Sequence, residues 1–154
     1  MALELITDRT KDHVSLLNRL RKKRWSEMTA SEQRAWYNEA AKGAYNYTDL
    51  NRVEAAVSVL AESIGLKLTT KTNWTIWDVP TRSDMERYLG NVVQIKNAFP
   101  SSVKFPTLPS TMNGLTYVGA NNIELVLEIA YESISGGSSA LGSGILGQMV
   151  LGGK

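Results

Sequence analysis

Few residues in this chain are of a type that does chemistry, and their spacing narrows the set further. Among 154 residues there is one histidine, His13, and no cysteine. One imidazole cannot build a His-Glu-x-x-His zinc site. Without thiols there is no thiolate catalysis, no disulfide and no cysteine-based zinc site. No serine stands in a Gly-x-Ser-x-Gly elbow, so His13 reads as a surface or cap-proximal residue. Asp8 and Asp12 lie four apart on a helix flank, the spacing of solvated charge. General acid–base work needs a buried carboxylate with a raised pKa, and nothing singles one out. The glycines of GGSSALGSGILG follow a helix rather than a strand, and no Gly-Lys-Ser/Thr occurs, so a phosphate loop is not indicated. The expectation is a chain with no catalytic residue, no cofactor and no metal, hence not an enzyme.

What remains is binding chemistry. Arg19, Arg21, Lys22, Lys23 and Arg24 put five cations in six residues beside Trp25. Such a run can track a phosphate backbone while the tryptophan stacks on a base. It also stands at a predicted helix C-terminus, where cations offset the negative dipole end. A solvated helix end is the reading preferred; an acidic protein partner and nucleic acid are the alternatives. Of the four tryptophans, Trp74 and Trp77 lie outside any clear helix beside Pro80; core packing is the reading preferred for the tryptophans, a protein interface and carbohydrate stacking are the alternatives, and Trp74 and Trp77 are the candidate protein-interface residues.

The elements that must position these residues are helical. Apolar residues recur at helical spacing over about 11–21, 29–43, 48–64, 81–99 and 118–133, with Thr29–Glu32 and Thr81–Asp84 as capping boxes and Gly43 and Gly65 as stops. Residues 66–79 are rich in Thr, Trp and β-branched types and predict a short hairpin or an extended packing arm. The connection 99–115 holds three prolines and cannot be a helix. The fold class expected is all-α, four to five helices, with a helical domain over 1–135 and a Gly/Ser-rich tail over 136–154. In that tail Ile145, Leu146, Met149, Val150 and Leu151 are apolar; the two readings are a disordered tail and a segment that orders against a neighbouring subunit. Net charge is only +2, too small to imply a nucleic-acid or membrane partner. No window is apolar and long enough to span a bilayer.

Two of the predicted helices look duplicated. At an offset of 70, YTDLNRVEAAVSVLAESI and YVGANNIELVLEIAYESI share Tyr47/Tyr117, Asn51/Asn121 and Glu54/Glu124, together with Ser63/Ser133 and Ile64/Ile134. Duplication builds scaffolds more readily than catalytic clefts. Asn51 and Asn121 are expected to play equivalent parts, each bonding backbone in the loop before its helix.

Longer strings resemble a known family. They are Asp8-Arg9-Thr10, Trp25-x-x-Met28-Thr29, the stretch KGAYNYTDLNRVE over 42–54, Lys71-Thr-Asn-Trp74-Thr, Asp78-Val-Pro80-Thr81, Leu115-Thr-Tyr117 and Ala120-Asn-Asn-Ile-Glu124. Over residues 7–134 the chain is similar to minor virion structural proteins from the tail, baseplate and fibre modules of phages and prophages of Gram-positive bacteria. The resemblance implies a structural or adaptor protein, made in the host cytoplasm, working through contacts with other virion proteins in several copies. It carries over no catalytic residue. Arg24 departs from the family's usual glycine, and the Gly/Ser tail differs from its usual ending. The alternative function is a small helical nucleic-acid-binding protein using residues 19–25.

Overall fold

The computed structural model describes residues 3–140. Five α-helices run in the order α1 (Lys11–Leu20), α2 (Ala30–Asn38), α3 (Tyr47–Ile64), α4 (Arg82–Asn97) and α5 (Tyr117–Ala140), with 3-10 turns at Trp25–Glu27 and Ala40–Gly43. Among the described residues there is no strand. The expected all-α class holds, and residues 66–79 take the extended rather than the hairpin alternative.

The long helices α3, α4 and α5 form a bundle in which each packs against the other two. They begin at Tyr47, Arg82 and Tyr117, a spacing of 35 residues each time. Their buried positions repeat with the same period. Val53, Tyr88 and Ile123 form one layer; Val57, Val92 and Leu127 the next; Leu60, Ile95 and Ala130 the third. The side chains of these layers are removed from water, and each large aliphatic one contributes roughly 1.5–3 kcal/mol. The unit is therefore present three times, and the offset of 70 seen in sequence spans two periods.

Capping fixes where the helices start. Thr10, Thr29 and Thr81 each accept a hydrogen bond from the third backbone N–H of α1, α2 and α4, and that third residue bonds back to the cap. Asn46 and Asp49 do the same work for α3. Gly65 ends α3 with φ +75°, a left-handed conformation that glycine adopts without steric penalty.

The three bundle helices run parallel, because the chain returns along the bundle between them. Residues 66–80 leave α3 at Gly65 and run back beside it, so that Lys71 meets Glu54 and Trp74 meets Asn51. Residues 98–115 do the same beside α5, where Thr107 meets Asn122 and Pro109 lies against Gly119. A third extended segment, residues 3–9, comes from the other end of the chain. It fills the groove between α5 and α3 through Ile6 and Arg9. Leu3, Leu5, Leu66, Leu68, Phe105 and Leu108 press these arms onto the core. With no sheet to join, the arms satisfy their buried backbone through helix side chains.

Helices α1 and α2 and the turn at 40–43 make a small layer at one side. The expected single helix over 29–43 is broken at Glu39, where φ is −115°, and resumes as a 3-10 turn. The cause is close packing. A Cβ on Gly43 would lie 2.4 Å from the His13 carbonyl oxygen, so only glycine lets this turn meet α1. Helix α5 runs past the boundary expected at 135/136 and reaches Ala140.

Candidate functional site

Two clamps of identical construction organise the molecule. On α3, the Asn51 amide oxygen accepts the Trp74 backbone N–H at 2.7 Å, and its NH2 donates to the Trp74 carbonyl at 2.8 Å. One turn further on, Glu54 accepts the Lys71 backbone N–H at 2.7 Å. On α5, Asn121 accepts the Arg9 N–H at 3.0 Å and donates to the Arg9 carbonyl at 2.8 Å, while Glu124 accepts the Ile6 N–H at 2.8 Å. The helical i, i+3 spacing of Asn and Glu thus meets two backbone N–H groups three residues apart in an extended segment. The asparagines do play equivalent parts. Their partners, however, are not the loops before their helices: Asn51 holds an arm that follows it, and Asn121 holds the chain's first residues.

Each clamp also buries charge. Glu124 is fully buried and accepts from Arg9 at 2.7 Å and from Arg52 at 2.7 and 2.8 Å; Arg9 and Arg52 also reach Asp49. Two cations and two anions cancel there. Glu54, also buried, accepts from both terminal nitrogens of Arg87 at 2.6 and 2.8 Å and from the Trp74 indole N–H at 3.0 Å. Burial works against the charged form of Arg52, but hydrogen bonds and attraction from Glu124 and Asp49 outweigh it and hold its pKa above the usual value. Nearby, the hydroxyls of Tyr45 and Tyr88 share a hydrogen bond, and burial pushes both phenols well above their ordinary range. Nothing here is open to a substrate, because every carboxylate in the network is taken up by a cation or a backbone N–H. Sequence reasoning overlooked Arg9, Asp49, Arg52 and Arg87, although three of the four lie in strings it had singled out.

The surface that remains for binding lies beside the first arm-bearing groove. A depression of about 1570 Å³ runs along α4, walled by Met85, Leu89 and Val93, by Leu50 of α3, and by Leu108 and Met112 of the arm 98–115. Small-molecule pockets occupy about 300–1,000 Å³; this one is larger and matches a chain segment. Its charged members, Asp78, Arg82, Glu86 and Lys96, balance. At its rim the turn after Trp74 carries Ile76, Trp77 and Val79, which are 69, 88 and 86% exposed. The turn is fixed from beneath, since Asp78 accepts the Thr75 backbone N–H and hydroxyl. Those bonds and Lys71 hold the Asp78 carboxyl below its usual pKa.

The other predicted residues fall as follows. Trp74 is buried, 4% exposed, with Lys71 Nζ 3.8 Å above its ring. For Trp74 core packing holds and the interface reading does not, because Glu54 bonds its indole N–H inside the bundle; Trp77 is the exposed one. Ile76 and Val79 were missed, and their signal was apolar residues in a turn just before Pro80. In the basic run, Arg19 and Lys23 both bond Glu32, at 2.9 and 2.8 Å. Arg21, Lys22 and Arg24 are exposed beside the edge-on pair Trp25–Tyr37. Tyr47 and Tyr117 stand at the first positions of their helices. Ile145, Leu146, Met149, Val150 and Leu151 lie outside the described residues. Among the described residues no group of three His, Asp or Glu side chains is placed to hold a metal ion, and no helix is long and apolar enough to cross a membrane. The chain matches no protein-family description, no curated protein and no solved structure.

Proposed function

We propose that this protein is a structural or adaptor component of a phage tail, baseplate or tail-like particle, and that it works by protein–protein contacts. The observation that carries this reading is the turn Ile76–Val79. Three large apolar side chains within four residues stand mostly in water, whereas monomeric proteins scatter such groups singly. Beside them lies an apolar groove of chain-segment size. Knob and groove together make the kind of surface that a neighbouring protein buries, with Trp77 as the aromatic anchor. The resemblance of the sequence strings within residues 7–134 to minor virion proteins is what supports the choice of setting. Quantitative mass spectrometry of particles purified from the producing bacterium tests it: the chain should be present at a fixed ratio to known tail proteins. Its absence from intact particles would remove the proposal.

A second reading has its own observation. Arg21, Lys22 and Arg24 stand exposed beside the Trp25–Tyr37 pair, the combination that holds single-stranded nucleic acid. Two of the five cations are occupied by Glu32, which leaves three for phosphates. Affinity for DNA that falls steeply with added salt would favour this reading over the first.

A further inference from the structure

Of the three arms, two are captive. Residues 66–80 are tied to α3 at one end and α4 at the other, and residues 98–115 to α4 and α5. Neither can leave its groove without dragging a bundle helix. The third groove, between α5 and α3, would be filled by a segment following α5 if the 35-residue period simply continued. It is filled instead by residues 3–9, which lead into α1 rather than into a bundle helix and reach across 112 and 118 residues of sequence to Asn121 and Glu124.

This arm is continuous with α1, because Thr10 is the α1 cap. Residues 3–20 therefore form one peripheral element. It touches the remainder through the Asn121/Glu124 clamp, Asp49, the Lys42–Asp8 ion pair at 2.7 Å, the Arg19–Glu32 ion pair at 2.9 Å, Glu39 and the Gly43 turn. None of these contacts requires that the element and the bundle belong to the same chain. The next four residues, Arg21-Lys22-Lys23-Arg24, are all exposed and all cationic. Lys23 is held by Glu32 at 2.8 Å; the like charges of Arg21, Lys22 and Arg24 favour an extended connection, so opening of this run gives up the Lys23–Glu32 pair.

We propose that residues 3–20 exchange between two copies of this chain, with 21–24 as the hinge, so that the arm of each copy lies in the α5/α3 clamp of the other. Every bond that residues 3–20 make in the closed form is remade across the pair. The balance between closed and exchanged forms is then set by the hinge and by concentration rather than by clamp strength. Exchange is a property of the topology and holds whatever particle the chain belongs to, so particle incorporation and exchange can fail separately.

The chain has no cysteine, which permits a clean test. Full-length Asp8→Cys and full-length Lys42→Cys are mixed at high concentration, incubated, and treated with a short bismaleimide. Exchange gives a cross-linked heterodimer that neither variant gives alone and that grows with concentration. Deleting Lys22 and Lys23 strains the closed form and should raise the cross-linked fraction several-fold. Inserting a Gly-Ser segment between them should lower it. A dimer formed through an ordinary surface patch would not respond to hinge length. Mixtures that remain monomeric at every concentration, while the double Asp8→Cys/Lys42→Cys chain cross-links only within itself, would overturn the proposal. That result rests on variants with an unaltered hinge, so it decides the matter even if the deletion variant does not fold.

Discussion

Asn51 and Asn121 each commit a whole side-chain amide to one residue of backbone, and the cost of losing them follows from that. Replacing either with Ala strands an N–H and a carbonyl in a partly buried groove, which should cost about 1–3 kcal/mol. Chemical denaturation of the single variants measures this, and near-equal losses are expected because the geometries match. Glu124 carries more. It is fully buried and balances Arg9 and Arg52, so Glu124→Gln leaves buried cations short of an anion and should cost about 3–5 kcal/mol. The pair Arg82–Glu86, at the same i, i+4 spacing found in many helices, is exposed, and Glu86→Ala should change stability by less than about 1 kcal/mol. Comparing the two variants in one denaturation series separates buried from surface charge.

At the scale of elements, helix existence and type were legible from sequence because apolar periodicity, capping boxes and the Gly65 stop agreed; Gly43, expected as a stop, is instead a close-packing position in a 3-10 turn. The threefold period was not. The polar marks that make α3 and α5 look alike, Asn and Glu at equivalent positions, are Glu86 and Leu89 in α4. Only apolar character persists there, and apolar character alone does not distinguish a repeat from any amphipathic helix. The arms were legible as extended, but not where they lie, since Asn121 and Arg9 are joined only by the fold. Gly90 sits mid-helix in α4, where a Cβ would meet nothing within 4 Å. Gly90→Ala should therefore stabilise the protein by about 0.5–1 kcal/mol, seen as a raised melting temperature. The α1–α2 layer has its own signature. Hydrogen bonds from Lys23, the Thr29 backbone and Arg19 lower the Glu32 pKa to about 2 from 4.5. A group depressed in the folded state stabilises fully above its unfolded pKa and loses that support as pH falls through the folded value. Acid between pH 4.5 and 2 should loosen this layer, read as rising hydrogen exchange in α2.

For the whole molecule, a buried, charge-balanced, threefold scaffold holds one apolar turn out into water. Rigid elements present binding residues better than mobile ones, and the Asn51/Glu54 clamp makes the arm before that turn rigid. Trp77→Ser with Val79→Ser removes the two most exposed of the three apolar side chains and leaves every clamp bond intact. The direct test is to count this variant against the wild type in purified particles by mass spectrometry. The account predicts that the variant melts at the wild-type temperature and is lost from particles that carry the wild type. Variant and wild type incorporated in equal amounts would contradict it.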